Sequence, residues 1–183
     1  MSKIEVDAIE PQSGTTLTIG ASGDTITIPS GATLTNSGTA TGFGKVLQVV
    51  NGTYNVEVNT TTNTFINTGL NASITPTSAS NKILILVNQV GLRKVNTDTY
   101  LSVKLQRVTT DIAVMGAGEG YNNSSSVYAS FGGIGICYLD SPNTTSSTNY
   151  KTVFNNSLGT GIVYVQQSSS VSSITLMEIE AWL

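Results

Sequence analysis

The sequence predicts an all-β protein: a short, repetitive N-terminal β shaft followed by a larger sandwich or barrel of strands. Three observations predict it. Only 10% of the 183 residues are charged, against about 25% in an ordinary soluble protein. Polarity comes instead from Ser, Thr, Asn and Gly, which suit strands and turns and are poor in helix interiors. No window of twelve residues carries a 3.6-residue apolar period, so essentially no α-helix is expected. Short apolar alternations broken by turn residues recur about every ten residues along the chain, the spacing of a sandwich or barrel. A hydrophobic content of 39% with a net charge of -3 argues against disorder.

Residues 1–10 alternate, with Ile4, Val6 and Ala8 on one side of an extended chain and Lys3, Glu5 and Asp7 on the other. They read as a strand-like attachment segment ended by Glu10-Pro11. Residues 11–44 hold short repeats: Leu17 and Ile19, then Ile26 and Ile28, then Leu34, separated by Ser22-Gly23, Ser30-Gly31 and Ser37-Gly38. Strands of three to five residues are expected here, with Gly supplying positive φ in the turns. From Lys45 the strands lengthen. Candidates are 45–50, 53–58, 63–67, 71–75, 82–91, 99–108, 111–115, 126–139, 148–154, 161–167 and 173–182.

Two of these strands carry more information. KILILVN at 82–88 is apolar on both faces, whereas an antiparallel strand with one wet face alternates. Leu84 and Leu86 therefore need cover as well as Ile83, Ile85 and Val87. SITLMEIEAWL at 173–183 closes on Trp182 and Leu183, and an apolar end of this kind is expected to dock centrally rather than fray. The shaft poses the same problem, because two aliphatics per repeat make no core within one thin chain. Three repeats are about the minimum for a self-stacking solenoid. Association solves it: three identical chains side by side share an axis and pair strand edges that would otherwise aggregate. A homotrimer is expected, with Leu17, Ile19, Ile26, Ile28, Leu34, Leu84, Leu86 and Trp182 at its interface.

KIEVDAIEPQSGTTLTIGASGDTITIPSGATL, residues 3–34, resembles the N-terminal and shaft segments of bacteriophage tail fibres, especially of phages of cyanobacteria and other marine bacteria. ITPTSASNKILILVNQVGLRK, TYLSVKLQR, YLDSPNTTSSTNYKTVF and the closing ITLMEIEAWL resemble the heads of such fibres, which are similar to trimeric jelly rolls of the tumour-necrosis-factor and complement type. The resemblance implies a virion protein made in the bacterial host cytoplasm, a homotrimeric adhesin with a jelly-roll head over 45–183. Residues 1–10 would hold it to another virion protein, and the tip would meet a bacterial surface glycan or protein. At 183 residues the fibre is short, which leaves room for a capsid-decorating or connector trimer. A polysaccharide depolymerase spike is the third reading.

Candidate chemistry is sparse. With no histidine, Ser-His-Asp, Cys-His and histidine-metal arrangements are excluded, and neither enzyme activity nor a cofactor is expected. Glu178 and Glu180, two apart on a strand, share a face; a solvated face or an interface ion pair is the expected reading, ahead of a glycosidase pair. Cys137, the one cysteine, sits among apolar residues and is expected to be a buried, inert thiol. Mild acidity argues against a nucleic-acid partner. Arg93, Lys94, Lys104 and Arg107, half of the basic residues, are expected on a solvated pair of strands, with contact to an anionic surface as the sharper alternative. The longest aliphatic run, ILILV, is too short for membrane insertion, and MSKIEVDAIE has no apolar core of a secretion signal. GAGEGYNNSSS at 116–126 lacks the Lys-Ser/Thr of a phosphate loop and reads as a surface loop. Tyr121, Asn122 and Asn123 there, and Asn143 in DSPNTTSSTN, have the side chains that suit sugar or protein contact.

Overall fold

A computed structural model of the chain describes residues 9–33, 35, 37, 46–96, 98–121 and 128–181. The chain divides into two compact units, Met1–Thr41 and Gly42–Leu183.

In the first unit the repeat punctuation folds as turns. Asp24 N donates to Ala21 O at 3.1 Å, and Ala32 N to Pro29 O at 3.1 Å. In each turn the third residue, Gly23 or Gly31, has a φ of +95° or +85°, the left-handed value a type II turn requires. Residues 9–33 contain no strand and form no ladder with any described residue. The short strands expected there do not form among the described residues, because a ladder needs a second edge and no described segment supplies one. Ile9, Leu17, Ile19, Ile26 and Ile28 are all exposed. The attachment segment falls outside the described residues except for Ile9 and Glu10.

The second unit is an antiparallel sandwich of twelve strands among the described residues: β1 (Val46–Tyr54), β2 (Val58–Thr60), β3 (Ile66–Ile74), β4 (Lys82–Val90), β5 (Arg93–Val95), β6 (Leu101–Arg107), β7 (Thr110–Glu119), β8 (Tyr128–Ser130), β9 (Gly133–Asp140), β10 (Thr148–Asn156), β11 (Ile162–Val165) and β12 (Ser172–Ile179). One 3-10 turn, Gln167–Ser169, is the sole helical element described. Two four-stranded sheets, β1-β12-β4-β9 and β3-β10-β6-β7, enclose the main core, and a smaller sheet, β2-β11-β5-β8, joins them. Leu70, Ile74, Ile83, Ile85, Leu105, Tyr150, Ile174 and Leu176 fill the main core. Leu92, Leu101, Val103, Phe154, Val163 and Val165 form a second cluster beneath the small sheet.

Between the clusters runs a buried polar chain. Thr68 and Thr152 share a hydroxyl hydrogen bond of 2.5 Å, Thr152 donates to Gln89 Oε1 at 2.8 Å, and Gln89 donates to Ser172 Oγ at 3.1 Å. Each link ties a different strand, β3, β10, β4 and β12, so the polar chain fixes the register of both large sheets where apolar packing changes partners.

Several expected elements are redrawn. Residues 45–50 and the first two of 53–58 join in β1, while Val58 opens β2; Gly52 lies where a side chain would strike the Asn71 carbonyl, 2.3 Å from where its Cβ would stand. That glycine marks a close approach of two backbones, not a turn. Likewise Ile66 and Asn67, the end of the expected 63–67, join 71–74 in β3 through a bulge at Gly69, and residues 63–65 lie outside the strand. The expected strand 126–139 is broken at Phe131-Gly132, and Gly116–Glu119, expected in a loop, belong to β7.

Candidate association face and far end

Strand alternation gives the β1-β12-β4-β9 sheet an inner and an outer face. On the outer face the register aligns Val49, Met177, Leu84 and Leu139 in one row across all four strands. The next row is Asn51, Thr175, Leu86 and Cys137. The third, Thr53, Ser173, Asn88 and Gly135, is polar. Val49 and Leu139 are each 57% exposed and Leu86 37%; Val46, at the strand's start, is exposed too. A continuous apolar strip thus crosses the middle of this face, exposed at Val49 and Leu139 and half-buried at Leu84 and Met177.

The outer face of the β3-β10-β6-β7 sheet has the opposite chemistry. Asn149 there donates to Asn71 Oδ1 at 3.2 Å and to Ser73 Oγ at 3.0 Å. Lys104 pairs with Asp111 at 2.7 Å and lies 4.1 Å from the Phe65 ring centroid. Hydrogen bonds from Lys104 and Gln106 hold the Asp111 carboxyl below its usual pKa. A shallow hollow of about 290 Å³ on this face is lined by Asn67, Asn71, Asn149 and Lys151 among others. Val114, 60% exposed opposite Lys104, is an aliphatic exception on this face; otherwise it is built for water, while the other outer face aligns uncovered aliphatic side chains in a row.

The registers also separate two ends. Val46, Ile179, Lys82 and Asp140 lie at the end where the chain enters the sandwich; Tyr54, Ser172, Val90 and Gly133 lie at the far end. The entrance end is locked by two polar clusters. Glu178, fully buried, accepts from Gln48 Nε2 and Asn81 Nδ2, both at 2.6 Å, and from Thr77 N at 2.7 Å and Thr77 Oγ1 at 2.8 Å. Burial pushes its carboxyl up, but these donors outweigh burial and the net displacement is downward. Asp140 accepts two bonds from Arg107 Nη1, at 3.0 and 2.9 Å, and one from Tyr150 Oη at 2.7 Å. Burial, then this carboxylate, raise the Tyr150 phenol far above its ordinary value.

The expected site residues separate accordingly. Leu84 and Leu86 face outward in the apolar strip; Leu17, Ile19, Ile26 and Ile28 are exposed in the first unit; Leu34, Trp182, Asn122 and Asn123 lie outside the described residues. Tyr121 is at the far end, where its ring meets Tyr100 edge-on at 5.9 Å and its hydroxyl donates to Asp98 Oδ1 at 3.1 Å. That hydrogen bond, then the Asp98 charge, raise the Tyr121 phenol. Asn143 lies in the 141–147 connection at the entrance end, so the structure does not bring it together with Tyr121.

Three readings are corrected. Cys137 is exposed, because β9 alternation turns Ile136 and Tyr138 inward and Cys137 and Leu139 outward. Glu178 is neither solvated nor ion-paired: it points into the sandwich and is held by neutral donors. The four clustered cations form no common face. Lys94 is fully buried, where desolvation lowers its pKa against the opposing pull of Asp98. Arg93 stacks 4.9 Å from the Tyr164 centroid, Lys104 binds Asp111 and Arg107 binds Asp140. Val46, Val49 and Leu139 are additions to the strip that the sequence did not single out, although period-2 alternation in β1 and β9 carried the signal. No group of three or more potential metal ligands occurs among the described residues, and no described helix is long and apolar enough to cross a membrane. No protein-family model and no curated protein matches the chain.

Proposed function

We propose that this protein is a bacteriophage tail-fibre component, a homotrimeric virion adhesin whose head meets the bacterial surface. The observation that carries the reading is the contrast between the two outer faces of the sandwich. An isolated soluble domain has no use for an apolar row spanning four strands, whereas a second and third copy would dry it. The uncovered aliphatics of residues 9–33 have the same need. The strand orders β1-β12-β4-β9 and β3-β10-β6-β7 support a jelly roll, since each sheet interleaves early and late strands of the chain as two Greek keys do. Residues 1–10 then join another virion protein, and the far end, opposite the chain's entrance, is the tip. Adhesion works by avidity: three weak sites on one rigid tip, and several tips per particle, raise binding without any single tight site.

Two measurements on the full chain test this. Sedimentation equilibrium at nanomolar to micromolar concentration is expected to give three chain masses. Labelled protein is expected to adhere to a subset of cyanobacterial or marine bacterial strains. A folded monomer at all concentrations would overturn the reading. A trimer that adheres to none of the strains would favour a decorating or connector role on the particle.

A further inference from the structure

We infer that a cleft at the far end of the sandwich is a binding site for a neutral oligosaccharide. The inference rests on the adhesin reading and gives it a location and a ligand class. The cleft holds about 630 Å³, within the range of small-molecule sites. It opens where β4 ends and β9 begins, beside the Gln167–Ser169 turn.

Its lining sets the ligand class. Asn88, Ser130, Gln167, Ser168 and Ser170 supply amides and hydroxyls, and Val90 and Ile134 supply an aliphatic floor. The remaining described lining is glycine, at 91, 132, 133 and 135, which brings bare backbone to the surface. No described lining residue carries a charge. A phosphate, sulfate, sialic acid or uronic acid would lose its hydration here and gain no cation in return. A peptide anchor would find only two aliphatics to bury. A sugar ring matches both halves of the lining, with hydroxyls for mixed donors and acceptors and C–H faces for Val90 and Ile134.

The site is also built to hold its shape. Gln166, Ser168 and Ser169 all have left-handed φ, 53°, 58° and 58°, a conformation that side-chain-bearing residues avoid and that persists where the surroundings impose it. The surroundings are rigid: Gln166 N donates to Val90 O at 2.9 Å, and Gln167 N to Gly91 O at 3.1 Å. The turn is thereby fastened to the end of β4 with Gln167 and Ser168 in the cleft. The side chains of Asn88, Ser130, Gln167 and Ser168 make no hydrogen bond among the described residues, so their donors and acceptors are available to a ligand. Asn88 is exposed and belongs to the polar third row of the outer face, one row beyond Leu86 toward the far end.

The test uses the labelled full chain on an array of neutral hexose and N-acetylhexosamine oligosaccharides, sialylated and uronate-bearing oligosaccharides, and short peptides. Binding confined to a subset of the neutral sugars is expected. Asn88→Trp, which fills the cleft from an exposed position, should weaken it at least tenfold. The double variant Asn88→Ala/Gln167→Ala, which removes polar atoms and adds no bulk, should weaken it by about the same factor. Ser80→Ala, exposed in the connection before β4 at the other end, should leave it unchanged. Binding only to acidic sugars, only to peptides or to nothing on the array, or neutral-sugar binding indifferent to both cleft variants, overturns the inference. Chain mass and cell adhesion are recorded on the same samples. A trimer that adheres to cells through neither variant's site removes the cleft and leaves the adhesin; a non-adhering monomer that still binds neutral sugars through the cleft removes the adhesin and leaves the site.

Discussion

Glu178 shows how much one side chain can decide. A buried carboxylate without a cation survives only because four donors converge on it. They come from β1 and from the 75–81 connection, and Asn81 Oδ1 also accepts from Ala181 N at 3.1 Å. Glu178 therefore gathers a strand, a loop and the start of the C-terminal tail. Its folded pKa lies below the ordinary 4.5. The ionised form then contributes its full stabilisation above about pH 4.5, and the contribution is lost as pH falls through the folded value. Glu178→Gln sets an amide donor against donors and is expected to cost about 2–3 kcal/mol, lowering Tm by roughly 5–10 °C. Its stability profile should also flatten below pH 5, as thermal melts at stepped pH would reveal. Tyr150 gives the opposite dependence: its raised phenol favours the folded state up to about pH 10, and that contribution fades above it as the unfolded phenol ionises. Tyr150→Phe removes the donor to Asp140 at a cost of about 2 kcal/mol and should lessen the alkaline loss. Gly69 is a third such position. Its φ is +91° and a Cβ there would meet Tyr54 Cε1 at 2.1 Å, so Gly69→Ala combines backbone strain with a clash on a core ring. About 2–4 kcal/mol is expected from urea unfolding.

At the level of elements, β4 carries the argument. Its Ile83, Ile85 and Val87 face the core, and Leu84, half-buried, and Leu86, exposed, face outward. Leu84→Glu with Leu139→Glu places two carboxylates in the central apolar row and removes no core contact. We expect the assembly to fall apart to single chains while the urea midpoint of the sandwich moves little. Asn67→Glu on the polar outer face should leave the mass unchanged. A mass unaffected by the first pair would mean that copies meet elsewhere. The legible part of this fold was the part governed by alternation. The all-β character, most strand positions beyond residue 45 and the double-sided greasiness of β4 follow from local pattern. What escaped depends on contacts between distant residues. Asn51-Gly52 has hairpin-turn chemistry yet lies inside β1, because the neighbouring β3 backbone needs room there. Cys137 turned outward because β9 restarts its alternation after Gly132, a phase that composition does not reveal. The cleft was illegible for the same reason. Asn88, Ser130 and Gln167 are far apart in sequence, and only the ladders bring them to one end.

For the whole molecule, the question is which unit holds the copies together. On the head, Val46, Val49, Leu86 and Leu139 are each roughly half exposed, and drying that remainder is worth on the order of 1 kcal/mol per side chain. The exposed remainder of Leu17, Ile19, Ile26 and Ile28 offers a similar sum in the first unit. Either contribution, about 4 kcal/mol per copy, only matches the lower bound of the cost of losing free translation and rotation, about 4–15 kcal/mol. The two together exceed that bound. In the first unit a second gain accompanies burial: extended segments that find no ladder partner in one chain would pair with their copies. A chain beginning at Gly42 keeps the whole sandwich core and should fold alone. We expect it to assemble only at high micromolar concentration, while the full chain holds three copies at concentrations at least a hundredfold lower. Ile19→Ser/Ile26→Ser in the full chain should fall between the two, because it strips the apolar contribution of the repeats and leaves their turns intact. Sedimentation across a dilution series distinguishes these cases. Equal dissociation of the full and shortened chains would confine association to the sheet face and leave the exposed aliphatics of residues 17–28 without a role in it.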